Sequence, residues 1–296
     1  MITVMIATYN GEKTLDTVLC AYSKLEMPQS NWKLVIIDNG SNDNTRTIIS
    51  NYKNLLPLKY LFEPRRGKNA ALNSGLSEIE GDLVVFTDDD IIPRSDWLNK
   101  LESAANSQPS YTMFGGSIMP EWESVPEEWL LSWVPLKLTY GILDDLSGDG
   151  PIEYNFVFGG NMALRSQIFE MGYRFNESIG PNGTSYAQGS EAQLCQRLQE
   201  DGFKAWHCKD AMVYHMIEAP HMTKRWTLYR AVRFGRGQYR LGFEYPDCHA
   251  FLFGIPVRWF WRISKRLVFL AKARLNKSEE MIYKTIWKFL SKNPFD

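Results

Sequence analysis

Asp82-Leu-Val-Val-Phe-Thr-Asp-Asp-Asp90 is the stretch of this 296-residue chain on which its predicted fold depends. The residues from Asp82 to Thr87 form a short apolar run with β-branched side chains, which is typical of a buried strand. Three adjacent carboxylates follow, at positions 88, 89 and 90. Such carboxylates repel one another unless a cation or hydrogen bonds offset their charges. The stretch therefore predicts a buried strand that ends in a cluster of negative charge.

Three similar runs precede this strand, and helical patterns separate them. The predicted strands are 2–8, 33–38, 58–62 and 82–87, and the predicted helices include 15–22, a short one through 48–49, and 68–76. Continuous apolar strands that alternate with helices predict an α/β fold with a mostly parallel, Rossmann-like sheet covered by helices on both faces. Such sheets bind their ligands at the carboxyl ends of the strands.

Polar residues follow the first two strands as well as the fourth. Thr8-Tyr9-Asn10 ends the first strand and Asp38 ends the second, so we expect them beside Asp88 at one edge of the sheet. Asp38 can accept hydrogen bonds from a nucleobase or a ribose, or it can brace the turn that contains Ser41. The acidic triplet is either a solvated turn or a set of hard oxygen ligands for Mg²⁺ or Mn²⁺, ions that commonly share their coordination with substrate phosphates.

The segment Arg65-Arg66-Gly67-Lys68-Asn69 precedes a predicted helix. Its cations and the free N–H groups of the helix can meet a phosphate, although a solvated basic turn has the same composition. Neither a GxxxxGK[ST] phosphate loop nor a GxGxxG turn after a strand occurs, which argues against ATPases and dinucleotide enzymes.

Composition and charge exclude some classes of function. Hydrophobic residues make up 44% and charged residues 23% of the chain, as in ordered globular proteins. The net charge of −1 argues against a bulk polyanion binder, and we expect no nucleic-acid partner. The four cysteines are scattered, and the chain begins with a strand-like run. We therefore expect free thiols, no secretory leader and a cytoplasmic location.

The second half of the chain has a different pattern. Segment 109–160 is rich in Pro, Gly and Trp and predicts long loops and short strands. A helix at 191–200, strands at 204–208 and 211–215, and a basic aromatic helix at 223–240 follow. We expect two halves of one domain, 1–105 and 106–240, and a helical C-terminal extension, 241–296.

Six motifs together indicate a family. They are Ala7-Thr-Tyr-Asn10, Val35-Ile-Ile-Asp-Asn-Gly-Ser41, Arg66-Gly-Lys-Asn-Ala-Ala-Leu-Asn73, Phe86-Thr-Asp-Asp-Asp-Ile-Ile-Pro93, Gly159-Gly-Asn-Met-Ala163 and Gly189-Ser-Glu-Ala-Gln-Leu-Cys-Gln-Arg-Leu198. In order and spacing they resemble the family 2 glycosyltransferases of the GT-A fold, over residues 1 to about 240. The resemblance implies transfer of a sugar from a nucleotide diphosphate, most often a UDP-sugar, with inversion of the anomeric centre.

The resemblance also implies roles for residues in the first strands. The residues that would hold the nucleotide are Thr8, Tyr9, Asn10, Glu12, Asp38, Lys68, Asp88 and Asp89. Asn161 would lie near the donor sugar, and Asp90 would bind Mn²⁺ or Mg²⁺. His215 would be a further metal ligand, with Asp88 as an additional candidate. A lone histidine beside an apolar strand is also common as a structural residue.

Glu191 is the candidate base that would take the proton from the acceptor hydroxyl. Members of the family often carry Glu-Asp at this point, whereas this chain has Ser190-Glu191. Ser190 reads as the N-cap of a helix, with Gln193 completing a capping box and Gly202 ending the helix. In the first turn, the helix dipole favours an ionised carboxylate, which is the form a base needs.

The acceptor side is less clearly marked in the sequence. Arg230 and Arg233 share a helix face and suit a phosphate or an anionic acceptor, or simply solvent. Trp122 is either a stacking platform for a sugar or part of the packing. Segment 251–275 has six Lys/Arg residues, no acidic residue and several aromatics, which suits either an anionic membrane surface on the cytosolic side or packing on the catalytic domain.

We expect a saccharide or lipid-linked saccharide acceptor, used in the synthesis of cell-surface polysaccharide or glycolipid. The alternatives are a sugar-phosphate nucleotidyltransferase and a non-catalytic nucleotide-sugar-binding protein.

Overall fold

The computed structural model describes residues 1–181, 188–240, 251–252, 255–256, 267–268, 271 and 278–291. The predicted extension, 241–296, and the basic segment 251–275 therefore lie largely outside the described residues. Among the described cysteines, Cys20, Cys195 and Cys208 are free thiols.

Strands and helices alternate through the first hundred residues, as the hydrophobic pattern predicts. The strands are β1 (Ile2–Thr8), β2 (Trp32–Asp38), β3 (Leu58–Phe62), β4 (Leu83–Asp88), β5 (Ile91–Pro93), β6 (Met113–Trp122), β7 (Gly150–Ile152), β8 (Met162–Arg165), β9 (Ala205–Ile217), β10 (Phe251–Leu252) and β11 (Ile255–Pro256). The helices are α1 (Leu15–Tyr22), α2 (Thr45–Asn51), α3 (Lys68–Gly75), α4 (Trp97–Ser107), α5 (Glu128–Trp133), α6 (Leu136–Tyr140), α7 (Gln167–Glu170), α8 (Ser190–Glu200), α9 (Lys224–Arg240) and α10 (Glu279–Ser291).

One sheet of nine strands, counted among the described residues, organises the fold. Its order is β3-β2-β1-β4-β8-β6-β9-β5, and β7 pairs with β9 beside this path. The strands β1 to β4 are parallel, whereas β8 runs antiparallel to both β4 and β6. Buried apolar side chains cover both faces of the parallel part. The predicted α/β class with a Rossmann-like sheet is confirmed, with a mixed arrangement beyond β4.

The register of the parallel strands brings their ends to one edge. Thr8 at the end of β1 pairs with Asp38 at the end of β2, and its neighbour Ala7 pairs with Asp88 on β4. Side chains that are far apart in sequence therefore meet where parallel strands offer a ligand site.

The prediction of long loops and short strands for 109–160 was wrong in one important part. The ten-residue strand β6 occupies residues 113–122 in the middle of the sheet. Its glycines suggested a loop, but Gly116 is required by packing, because a Cβ there would lie 2.0 Å from the carbonyl oxygen of Ala211.

The two strands predicted at 204–208 and 211–215 form one long strand, β9. The break between them appears instead as a change of register against β6: Gly116 pairs with Cys208, but Ile118 pairs with Val213. One residue of β6 therefore lies opposite four residues of β9, which makes an irregularity in the middle of the sheet.

A separate aromatic cluster joins the helices of the second half. Tyr283 of α10 packs against Trp129 and Trp133 of α5, with ring centroids 5.9 and 6.0 Å away. Its hydroxyl donates a hydrogen bond of 2.8 Å to Thr227 on α9. No helix among the described residues is sufficiently long and apolar to span a bilayer.

Candidate active site

A cavity of about 740 Å³ opens at the carboxyl ends of the parallel strands. The predicted site residues that line it are Thr8, Tyr9, Lys68, Asp88, Asp89, Asp90, Glu191, His215 and Arg230. Its opposite wall is formed by residues from α6, from the turn before β8 and from α9. The volume is in the range of small-molecule sites in proteins.

The acidic triplet is held by contacts to neighbouring strands and helices. Asp89 accepts a short hydrogen bond from the Thr8 hydroxyl on β1. Asp88 accepts one from the Lys68 ammonium at the start of α3, at 2.5 Å. A Cβ at Gly11 would collide with both Thr8 and Asp89, so the chain after β1 approaches the triplet closely only because a glycine stands there.

Asp90 and His215 form the third contact of the triplet. The short strand β5 pairs antiparallel with β9 and aligns Ile91 with His215. Oδ2 of Asp90 consequently lies 3.3 Å from Nε2 of His215. On the other side of the ring, Nδ1 lies 2.6 Å from the carbonyl oxygen of Tyr140, which can only accept, so Nδ1 carries a proton. Burial opposes protonation of the ring, but Asp90 outweighs it and raises the pKa of His215, so the proton on Nε2 is shared with Asp90.

Burial and mutual repulsion perturb the acidity of the triplet. Burial, with repulsion from Asp90, raises the pKa of Asp89 to about 7. Burial also raises the pKa of Asp88, although Lys68 acts against it. Burial opposes ionisation of Asp90, but the neighbouring His215 outweighs it and lowers the pKa of Asp90. A bound cation would therefore reduce the repulsion between the three carboxylates.

The residues present fit a divalent cation. Oδ1 of Asp90 is buried and has no hydrogen-bond partner, although its residue faces the cavity. Carboxylate oxygens and an imidazole nitrogen are suitable ligands for Mn²⁺, and carboxylates suit Mg²⁺. Within the described part of the chain, however, no three acidic, histidine or cysteine side chains already form a complete cation cage. Substrate oxygens would have to complete the coordination.

Glu191 lies on the far side of Lys68 from the triplet. Its Oε1 is 2.5 Å from Nζ of Lys68, and its Oε2 accepts a hydrogen bond of 2.5 Å from the Ser190 hydroxyl. Burial alone would raise the pKa of Glu191, but the Lys68 ammonium outweighs it and holds the pKa at about 2. Glu191 is therefore ionised at neutral pH, as a base must be before it takes a proton.

The helix that carries Glu191 begins differently from the prediction. The N-cap of α8 is Gly189, with φ of +109°, and no side chain caps the helix. Ser190 is the first helical residue, and its hydroxyl binds Glu191 instead of a backbone N–H. The predicted capping box with Gln193 is therefore wrong. The predicted end of the helix is confirmed by Gly202, which has φ of +89° directly after the C-cap.

Two predicted nucleotide residues connect loops and do not line the cavity. Oδ1 of Asn10 accepts from the backbone N–H of Asn42 at 3.0 Å, and Oε2 of Glu12 accepts from both N–H donors of Asn44 at 3.2 and 3.1 Å. Both residues join the loop after β1 to the loop after β2. Asn10 also adopts a left-handed conformation, with φ of +55°. They shape this edge of the site by holding the two loops together.

Asp38 also turns away from the cavity. It is 2% exposed, Oδ1 accepts from the N–H of Ser41 at 2.8 Å and Oδ2 accepts from the Tyr60 hydroxyl at 2.9 Å. Of the two readings made from the sequence, the geometry favours the turn brace. The next residue, Asn39, lines the cavity and binds the backbone of Glu63, Arg65 and Gly67.

Asn161 does not line the cavity. It is fully buried, its amide donates to the carbonyl oxygens of Ser117 and Ala211 at 2.9 and 2.8 Å, and its own oxygen accepts from Nε1 of Trp97 at 2.8 Å. Its expected place near the donor sugar stays a prediction: the flanking Gly160 lines the cavity, while the side chain of Asn161 is buried in the core.

The predicted acceptor residues are only partly brought together. Arg230 lines the cavity, but Arg233 does not, and its backbone oxygen accepts from the N–H of Gln188. Trp122 packs edge-on against Tyr140, with ring centroids 5.5 Å apart, and it does not line the cavity. Ordinary packing is therefore the better interpretation of Trp122.

Several residues that line the opposite wall of the cavity were not predicted from the sequence. Lys137 and Tyr140 on α6 and Phe158 before β8 all come from segment 109–160. Their residue types were visible, but the segment has no clear periodicity, so nothing indicated which side chains share a face. The pair Gly159-Gly160 in the quoted motif was the available signal for a close approach at this wall.

Comparisons with known proteins identify the family to which the chain belongs. The model of the family "Glycosyl transferase family 2" matches residues 3–171, more than half of the chain. The glucosyl-dolichyl phosphate glucuronosyltransferase of Haloferax volcanii is 23% identical over 262 residues, which cover 83% of this chain and 79% of that protein.

Solved structures show the same fold. The mannosyltransferase PcManGT of Pyrobaculum calidifontis, in complex with GDP-Man and Mn²⁺, has a TM-score of 0.61 at 16% identity and covers 98% of this chain and 86% of its own. Residues 1–349 of S. aureus TarS, in complex with UDP-GlcNAc, have a TM-score of 0.55 at 15% identity and cover 98% and 90%. The predicted resemblance is confirmed, and the chain is a glycosyltransferase that belongs to glycosyl transferase family 2.

Proposed function

We propose that this enzyme transfers a sugar from a nucleotide diphosphate, with a UDP-sugar as the favoured donor, to an acceptor hydroxyl in a metal-dependent, inverting reaction. The observation that carries the proposal is that one cavity holds both the carboxylates at 88–90 and a separate ionised carboxylate, Glu191. A leaving diphosphate and an attacking hydroxyl need these two kinds of group. In this scheme residues 1–105 serve the donor and 106–240 serve the acceptor.

The donor would lie along the ends of β1 and β4. Tyr9 is 48% exposed, and the Arg66 guanidinium lies 5.9 Å from the centre of its ring. An exposed ring beside a cation suits a nucleobase and a phosphate. The Thr8 hydroxyl and the carboxylates of Asp88 and Asp89 offer hydrogen-bonding groups for the ribose.

The metal ligands would be Asp90, through its unpaired Oδ1, and His215, with Asp88 as a further candidate. A bound Mn²⁺ or Mg²⁺ would offset the negative charge that develops on the leaving diphosphate. The contact of His215 Nδ1 with Tyr140 orients the imidazole and leaves Nε2 available, as is usual for ligating histidines.

Glu191 would take the proton from the acceptor hydroxyl as the hydroxyl attacks the anomeric carbon. The bond to the diphosphate oxygen breaks on the opposite face, which inverts the centre. Lys68 keeps the carboxylate ionised, and Ser190 fixes its orientation.

The acceptor would be a saccharide or a lipid-linked saccharide used in cell-surface polysaccharide or glycolipid synthesis. The relative from Haloferax volcanii is by its name an enzyme of glucosyl-dolichyl phosphate, which supports a lipid-linked acceptor. We place the enzyme in the cytoplasm, with the basic segment 251–275 in contact with the membrane surface. Binding to vesicles that contain an anionic phospholipid, absent with neutral vesicles, would test that contact.

A thermal-shift screen of UDP-, GDP- and dTDP-sugars, with and without Mn²⁺, tests the proposal, followed by product analysis with the stabilising donor. Stabilisation follows RT ln(1 + [L]/Kd), so it ranks the donors. We expect a free nucleoside diphosphate as product. Free pyrophosphate would instead indicate a nucleotidyltransferase, and binding without turnover a non-catalytic protein.

The variant Glu191→Gln tests the base. It should lower turnover while the affinity for the donor is retained, because it removes only the proton acceptor. Glu200→Gln, at the exposed end of the same helix, is the matched control and should behave as the wild type. Unchanged turnover in Glu191→Gln would assign the base to another residue.

A further inference from the structure

Lys137 is a cation of the cavity wall that forms a salt bridge with none of the carboxylates in the described part of the chain. It lies on α6 and is half-buried, and its Nζ is 3.2 Å from the ring centre of Phe156 and 6.0 Å from that of Phe158. Burial lowers the pKa of Lys137, and the charge of Asp145 only partly offsets this.

Arg230 is a second cation of this wall, supplied by α9. Its Nε donates to the carbonyl oxygen of Thr139 at 3.0 Å, and its guanidinium lies 5.8 Å from the ring centre of Trp226. The contact with Thr139 attaches Arg230 to α6, the helix that carries Lys137. In the described part of the chain no carboxylate pairs with Arg230 either, and both cations line the cavity.

The two cations lie on the side of the base. Phe158, near the Lys137 ammonium, directly precedes Gly159, and Gly159 lies against the carboxylate of Glu191. The donor side, with Tyr9 and Arg66, is built from the ends of β1 and the loop before α3. Lys68 already forms salt bridges with Asp88 and Glu191, so its charge is neutralised and does not attract an additional anion here.

A partly buried cation without a counter-ion is costly unless a ligand supplies the negative charge. The aromatic rings offset only part of this cost, since cation–π contacts contribute on the order of 1 kcal/mol. A guanidinium and an ammonium together are a common receptor for phosphate oxygens. A neutral sugar would require neither charge.

We propose that Lys137 and Arg230 form a binding site for a phosphate ester carried by the acceptor, close to the hydroxyl that Glu191 deprotonates. The inference rests on the proposed function, and it makes the acceptor's charge a determinant of specificity. Phe158, which lines the cavity, would contact the apolar face of the sugar or the first carbons of the chain attached to the phosphate.

Two probes that differ by one phosphodiester test this inference: octyl glucoside and glucose 1-(octyl phosphate). Their dissociation constants are measured by calorimetry below micelle formation, without a donor, for the wild type and for Lys137→Met, Lys137→Arg and Lys53→Met. Methionine keeps the contact with Phe156 and removes the charge. Lys53 is exposed and lies two residues beyond the end of α2, so its replacement controls for net charge.

We expect the wild type to bind the phosphodiester about tenfold more tightly than the glucoside. Lys137→Met should lose this preference with binding of the glucoside unchanged, whereas Lys137→Arg and Lys53→Met should keep it. Equal binding of the two probes by the wild type, or an unchanged preference in Lys137→Met, would overturn the inference.

The affinity for UDP with Mn²⁺ is measured in the same variants to identify the source of the anion. If Lys137→Met lowered the affinity for UDP as much as the affinity for the phosphodiester, Lys137 would belong to the site of the donor diphosphate. The inference would then fail. Absence of turnover with every nucleotide sugar would refute the proposed function and would leave the comparison of the two probes intact.

Discussion

The carboxylate of Glu191 occupies the space that a side chain at Gly159 would fill. A Cβ built on Gly159 would lie 2.6 Å from Cγ, Cδ and Oε1 of Glu191. The glycine therefore allows the candidate base to reach the cavity between Lys68 and the turn before β8. The position of the Glu191 carboxylate therefore depends on a residue that carries no functional group.

Gly159→Ala should displace the carboxylate of Glu191 and lower turnover. A displacement of about 1 Å can cost about a hundredfold in rate, and we expect an effect of that order in kcat, with little change in donor affinity. Gly148→Ala is the matched control, because nothing lies within 4 Å of a Cβ there and its backbone is not left-handed. If Gly159→Ala kept the kcat of the wild type, turnover would not depend on the position of the Glu191 carboxylate, and the prediction would be wrong.

Lys68→Met should destabilise the protein, since it leaves the carboxylates of Asp88 and Glu191 without their shared counter-charge. Removing one partner of a buried pair costs about 3 kcal/mol or more, and partial exposure of these groups reduces this figure. Lys284→Met, which breaks the exposed pair with Glu280, should cost less than about 1 kcal/mol. Chemical denaturation measures both differences.

The loss in Lys68→Met should depend on pH. The pKa of Glu191 is lowered from 4.5 to about 2 in the folded protein, so its contribution is fully present above pH 4.5 and is lost as pH falls towards 2. The difference in unfolding free energy between wild type and Lys68→Met should therefore be largest at neutral pH and shrink below pH 4.5. A difference that stays constant from pH 7 to pH 3 would contradict the ion pair seen here.

Asp90→Asn should remove the response to Mn²⁺. The wild type should be stabilised by about 2.7 kcal/mol at a Mn²⁺ concentration one hundred times its Kd, and the variant should show no such gain in thermal unfolding. Asp144→Asn, at an exposed loop position, should respond as the wild type does. Equal stabilisation of Asp90→Asn would place the cation elsewhere.

Asn161→Ala should act on stability and not on the choice of donor. It leaves the carbonyl oxygens of Ser117 and Ala211 and the indole N–H of Trp97 buried without partners. Each such group costs about 1–3 kcal/mol. We therefore expect Asn161→Ala to lower the free energy of unfolding several times more than Asn106→Ala, a change on the exposed face of α4. A changed ranking of nucleotide sugars with unchanged stability would restore the role expected from the sequence.

The part of the fold that the sequence predicted well is the part with strong periodicity. The strands β1 to β4 are continuous apolar runs, and the parallel order follows from the helices between them. The polar residues that follow these strands could therefore be expected at one edge. Thr8 and Asp88 are examples whose positions at the cavity follow from topology alone.

Side-chain direction explains most of what could not be predicted. Asp38 and Asn161 belong to motifs that resemble the family, but a motif does not state whether a side chain faces the cavity or the core. Their hydrogen-bond partners, Tyr60 and Trp97 among them, come from other elements of the fold. In the same way, the Gly and Pro residues of β6 predicted a loop, because the approach of Ala211 to Gly116 is visible only in three dimensions.

The irregularity between β6 and β9 has a consequence for engineering the enzyme. Where the ladder of the two strands breaks, the Asn161 amide binds a carbonyl oxygen from each strand, at Ser117 and Ala211, and replaces the missing backbone donors. A graft that replaces the cavity wall formed by α6, the turn before β8 and α9 would have to keep this asparagine together with the irregularity of the two strands. The chain exchanged between β6 and the turn at Gly159 would also have to supply a strand in the place of β7, which pairs with β9.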